Sequence, residues 1–113
     1  MKNTINITKL EAEAIHSIAV TLDNECNGGI PSDETQTITL VCSLTEGRRL
    51  DKNRNFIPCP LNKRNIAGVI SSLAKKELIW EEIKGAKGCV AEGLNENEIA
   101  LTEKGFEVFK TLL

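Results

Sequence analysis

Chain-breaking residues set the strongest limit on what this sequence can fold into. Asn27-Gly28-Gly29, then Gly47 with Pro58 and Pro60, then Gly85, Gly88 and Gly93 separate the stretches that carry apolar periodicity. Glycine ends regular structure because it is conformationally free, and proline ends it because it lacks an amide donor. The longest segments between these breaks, residues 1–26 and 61–84, limit any helix to about seven turns. The chain must therefore build its core by packing several short elements together. A chain of 113 residues buries roughly two-thirds of the surface its unfolded form exposes, enough for one core without metal or disulfide staples. A single domain spanning residues 1–113 is expected. Apolar residues make up 41% of the chain, inside the range of globular proteins.

The segments can be read one by one. Thr8-Lys9-Leu10-Glu11 is a capping box, and Leu10, Ala14, Ile18 and Leu22 follow at four-residue spacing beside Ile15 and Ala19. This predicts a helix over about 8–22. Pro31-Ser32-Asp33-Glu34 opens the next element, with Ser32 as N-cap and two acids suited to the positive end of a helix dipole. Ile38, Val41 and Cys42 fit one helical face. The alternation Ile38, Leu40, Cys42, Leu44 among threonines fits a strand equally well, and the cap chemistry selects a helix over about 32–45. Residues 46–60 read as a loop in which Asp51 to Asn55 is turn chemistry, and a short hairpin flanked by Leu50 and Phe56 fits there.

Asn62 is a plausible N-cap for a third helix over about 62–77, whose buried stripe is Ile66, Val69, Ile70 and Leu73. Its opposite side carries Arg64, Gly68, Ser71 and Lys75, with Lys63, Asn65, Ala67 and Ser72 near it. Leu78 to Ile83 and Ile99 to Leu101 read as strands, with the glycines 85, 88 and 93 between them. Thr102 caps a last helix with Phe106, Phe109 and Leu112 or Leu113 on its apolar stripe. The fold class expected is mainly α with a small β-hairpin (α+β).

Several function classes have no support. Met1 to Lys9 contains no apolar core of a signal peptide, and no run of about 18 apolar residues exists, so the cytoplasm is expected and a membrane partner is not. Cys26, Cys42, Cys59 and Cys89 are widely spaced and the only histidine is His16, so neither a metal site nor a disulfide framework is read. No phosphate-binding glycine loop, zinc-protease helix or nucleophile elbow is present. His16, beside Ala12 and Val20, reads as a structural imidazole, and Trp80 as a core or hinge residue. No enzyme and no cofactor are expected. A thiol chemistry at Cys59, between two prolines, is a distant third reading.

The segment Ile70-Ser71-Ser72-Leu73-Ala74-Lys75-Lys76-Glu77-Leu78-Ile79, followed by Leu101-Thr102-Glu103-Lys104-Gly105, resembles bacterial winged helix-turn-helix regulators, including the MarR-like group. Small winged-helix proteins of phages and plasmids are a nearer comparison. The resemblance runs from Asn62 to Phe109. It implies a winged helix whose third helix enters the DNA major groove, in a bacterial or mobile-element transcription regulator. Glu77 stands where that family usually has glycine, the loop 46–60 is longer than its tight turn, and its extra terminal helices are absent. Dimerisation and ligand sensing are therefore not carried over.

Charge supports the same reading by position. The formal net charge is -2. Residues 47–76 hold eight basic residues against the single acid Asp51, which is +7, and the remainder has six basic and fifteen acidic residues, which is -9. The expected DNA-binding set is Arg48, Arg49, Asn62, Lys63, Arg64, Asn65, Ser71, Ser72, Lys75, Lys84 and Lys87. Within it, Arg64 and Asn65 would read base edges, and Arg48, Arg49 and Lys75 would meet phosphates. Lys63 and Arg64 in a first helical turn oppose the helix dipole, a cost that a phosphate on the free amides would reverse. The bland reading of the same face is a solvated surface. From Trp80 to Glu98 two lysines face five acids, and such a wing would repel phosphate. The alternative function is a protein-interaction module without DNA binding, using that acidic wing or the apolar end of the last helix. Palindromic DNA would need a homodimer.

Overall fold

The computed structural model describes residues 6–22, 29–51, 53–62, 64–82 and 97–112. Helix α1 (Lys9–Val20) begins at the expected cap. The Thr8 hydroxyl accepts from the Glu11 amide at 3.0 Å, and the Glu11 carboxylate accepts from the Thr8 amide at 2.8 Å. Two donors that a helix start leaves orphaned are thereby satisfied. The helix stops short of Leu22 because Thr21 becomes extended and bridges to Arg49, while the Leu22 amide donates to the Arg48 carbonyl at 3.0 Å.

The expected helix over 32–45 does not form. Asp33, not Ser32, is the cap, accepting from the Thr35 amide at 2.9 Å, and only a 3-10 turn follows (Glu34–Thr37). The β-branched run from Thr37 to Thr39 then enters a sheet. The buried Thr37 hydroxyl accepts from the Leu101 amide at 2.9 Å, and β1 (Thr39–Leu40) pairs with the C-terminal strand. The alternation pattern prevails over the cap here because side chain and backbone both find partners far along the chain. One helical turn remains, α2 (Ser43–Glu46).

A hairpin occupies the expected loop. Strands β2 (Arg48–Leu50) and β3 (Phe56–Pro58) pair antiparallel, with Arg49 opposite Ile57. Asp51 builds its turn, one carboxylate oxygen accepting from the amides of Asn53 at 2.8 Å and Asn55 at 2.9 Å. Arg54 takes a left-handed φ of 67° there.

Helix α3 (Ile66–Lys75) closes on a Schellman turn. The Leu78 amide donates to the Leu73 carbonyl at 3.0 Å and the Glu77 amide to the Ala74 carbonyl at 2.9 Å. Glu77 holds φ 63°, so it adopts the left-handed conformation that glycine favours at this position. Strands β4 (Ile79–Glu82) and β5 (Glu98–Leu101) follow, and the sheet order is β1-β5-β4, antiparallel throughout. Helix α4 (Glu103–Thr111) is capped by Thr102, whose hydroxyl accepts from the Gly105 amide at 3.0 Å and donates to the Glu77 carbonyl at 2.7 Å. Gly105 is required because a Cβ there would lie 2.0 Å from the Leu78 carbonyl oxygen.

The elements enclose one core. Ile15, Ile18, Leu44, Leu73, Leu78, Ile99, Leu101 and Phe109 are fully buried. Truncating any of these leucines to alanine costs about 2–5 kcal/mol. Phe106 and Phe109 of α4 are also core residues, and the partly buried Leu112 packs against the core. The result is a compact α+β domain with four α-helices and two small antiparallel sheets among the described residues. Its radius of gyration of 13.3 Å matches a single globule of this length. Trp80 departs from expectation, standing 38% exposed on β4 opposite Ala100. Cys59 is buried, which removes it as an accessible thiol. Cys26, Cys89 and Leu113 lie outside the described residues.

Two substitutions test this account of the α3–α4 junction. Glu77→Gly should stabilise the fold by about 0.5–1 kcal/mol, because it relieves the left-handed strain at a smaller entropic cost. Gly105→Ala should destabilise it by about 3 kcal/mol, because the clash is with backbone. Urea unfolding of the two variants measures both.

Candidate nucleic-acid interface

Helix α3 is positioned by a polar turn in front of it and a carboxylate beneath it. In the turn, Asn62 and Asn65 exchange bonds. The Asn62 amide donates to Asn65 Oδ1 at 2.9 Å, and Asn62 Oδ1 accepts from the amides of Arg64 at 2.8 Å and Asn65 at 3.0 Å. The Ile66 amide donates to the Asn62 carbonyl at 3.0 Å. Asn62 therefore caps the turn ahead of the helix proper, which begins four residues later than the expected boundary. Of the amides expected to receive a phosphate, those of Arg64, Asn65 and Ile66 are already spent here. Asn65 is half-buried, and its Oδ1 already accepts from the Asn62 amide.

Beneath α3 lies Glu11 of α1, only 3% exposed. Its carboxylate accepts from Lys76 Nζ at 2.7 Å and from the Ser72 hydroxyl, besides its capping bond to Thr8. Lys76 Nζ also donates to the Asn6 carbonyl at 2.7 Å. Burial alone would raise the Glu11 carboxyl above its ordinary value. The bonds from Lys76, Ser72 and Thr8 and the Lys76 charge outweigh burial, so the group sits below 4.5. Ser72 thus faces the core and leaves the expected DNA-binding set.

The opposite face of α3 is open. Arg64, in the turn ahead of the helix, and Ala67, Gly68, Ser71, Ala74 and Lys75 along it are exposed. The side chains of Arg64 and Lys75 have no hydrogen bond or ion pair among the described residues. They bracket a run of small side chains. A Cβ on Gly68 would meet nothing within 4 Å, so close internal packing does not account for this glycine. Beside the face, a shallow groove runs between α3 and β4 past Val41, Ile70 and Glu81.

The other expected contacts are elsewhere. Arg48 is exposed on β2, its guanidinium carbon 5.2 Å from the centre of the Phe56 ring. Arg49 is 7% exposed and cannot serve a phosphate at the surface. Its guanidinium pairs with Glu13 at 2.5 Å and donates to His16 Nδ1 at 2.7 Å, which leaves His16 neutral with its proton on Nε2. Burial, then the Arg49 charge, hold His16 below 6.5 against the opposing pull of Glu13. Lys63, Lys84 and Lys87 lie outside the described residues. Sequence reading missed this cluster because its members are 33 and 36 positions apart, although Glu13 and His16 share a helical face. Among the described residues no group of His, Cys, Asp or Glu could hold a metal ion, and no helix is long and apolar enough to cross a membrane.

Comparison with known proteins returns no matching family model, no similar curated protein and no matching solved structure.

Acid should weaken the fold in two windows. Glu11 titrates lower when folded, so its contribution is complete above pH 4.5 and is lost as pH falls through the depressed folded value. His16 titrates lower when folded, so protonation favours the unfolded chain and stability falls as pH drops below 6.5. Urea unfolding across pH should show both losses. Glu11→Gln should remove the lower one and cost about 1–2 kcal/mol at pH 7, and His16→Gln should remove the upper one.

Proposed function

We propose that this chain is a non-catalytic DNA-binding protein of winged-helix type, acting as a transcription regulator, with α3 as the helix that enters the major groove. The exposed face of α3 is the observation that carries this reading. It combines two unpaired cations with small side chains between them, on a helix clamped from behind. A B-DNA major groove admits one α-helix, and small residues let the backbone approach the base edges. Arg64 would read guanine by a bidentate contact, Ser71 would bond a base edge, and Lys75 would hold a phosphate.

The antiparallel β4–β5 pair after α3, with β1 beside it, supports the winged-helix reading. The one-turn α2 and the β2–β3 hairpin ahead of α3 depart from a tight helix-turn-helix. In this chain α3 packs against both α1 and β4. A second reading, a protein-interaction surface, is favoured by β4, where the 38% exposed Trp80 adjoins the exposed Glu81 and Glu82. Such a surface would suit a basic partner.

Salt dependence of duplex binding separates the two. The DNA reading expects binding at about 50 mM salt that weakens with a log–log slope of about -2 to -3, reflecting a few phosphate contacts. Arg64→Ala should abolish sequence preference in a selection from random duplexes, and Lys75→Ala should weaken all duplexes alike. Absence of binding at high micromolar protein would refute this function.

A further inference from the structure

On the side of α1 that faces the hairpin lies a cavity of about 530 Å³. That volume falls within the roughly 300–1,000 Å³ range of small-molecule sites. Val20, Leu50, Ile57 and Leu112 give it apolar walls drawn from α1, both hairpin strands and the end of α4. The polar groups on its lining are unequally committed. Glu13 is spent on Arg49 at 2.5 Å, and an Asp51 oxygen is spent on the two amides of its own turn. Lys9 and Arg54 are exposed on the same lining, and their side chains have no hydrogen bond or ion pair among the described residues. The Arg49 guanidinium, also on the lining, retains a buried Nε donor with no partner.

We propose that this cavity binds a small amphipathic monoanion, its apolar body between Leu50, Ile57 and Leu112 and its anionic group held by Lys9 and Arg54. The charge balance decides the sign of the ligand. Lys9, Arg49 and Arg54 face Glu13 and Asp51 on the lining, so its charge is net positive, and Lys9 and Arg54 are the cations left unpaired, which favours an anion over a cation. The apolar walls decide the rest, because a fully polar anion would lose its hydration against them without compensation. The site is separate from the exposed face of α3. It shares only α1 with it, through Glu13 and His16 rather than Glu11.

Octanoate and 1-octanol are suitable probes, since they share a chain and differ in charge. Titrated into methyl-labelled full-length protein at neutral pH, octanoate should shift the methyl resonances of Val20, Leu50, Ile57 and Leu112 to saturation. It should bind about fivefold more tightly than octanol, the scale of two partly exposed cations. The double variant Lys9→Gln, Arg54→Gln should melt at the same temperature and bind octanoate no better than octanol. Ile57→Trp should fill the cavity and abolish both. The proposal is overturned if those methyls do not respond at millimolar octanoate, if the two probes bind equally, or if the double variant keeps the preference for the anion.

Discussion

The Glu11 carboxylate is the interaction on which the arrangement depends. One buried group completes the N-cap of α1 through Thr8 and reaches across to Ser72 and Lys76 of the α3 region. A carboxylate this buried is stable only when its acceptor sites are filled, and here two charge-neutralising or hydroxyl donors and a backbone amide fill them. The orientation of α3 follows. With Val69, Ile70 and Leu73 in the core and Ser72 and Lys76 on the flank turned toward α1, residues 67, 68, 71 and 75 face outward.

A second constraint acts at the other end of α3. The Schellman turn forces Glu77 into a left-handed conformation and aims its carbonyl at the Thr102 hydroxyl. Gly105 then lets the first turn of α4 rest on the Leu78 backbone. The paired strands β4 and β5 are closed by this junction, and Thr102 and Gly105 owe their identity to it. Leu101, Thr102 and Gly105 of the L-T-E-K-G stretch thus each have a structural cause.

Local chemistry was legible in the sequence, and long-range chemistry was not. The Thr8 and Thr102 caps, the Asp51 turn and the apolar stripe of α3 each involve residues within about four positions, and all are present. The segment 32–45 was misread because its deciding bond joins Thr37 to Leu101, 64 positions away. Arg49 and Ser72 looked like surface residues because nothing nearby reveals Glu13, His16 or Glu11 as their partners. The charge block of residues 47–76 is real, but the fold divides it. Arg49 is buried, Arg48 lies on the hairpin over Phe56, Lys76 is held by Glu11, and Arg64 and Lys75 remain on the outward face of α3.

The central claim is that this face of α3 meets duplex DNA. Amide chemical-shift mapping with a short duplex at low salt tests it most directly. The account predicts shifts concentrated at Arg64, Ala67, Gly68, Ser71 and Lys75, with β4 and the β2–β3 hairpin little changed. Shifts centred on Trp80 and its neighbouring acids, or on Arg48, with α3 unmoved, would contradict it.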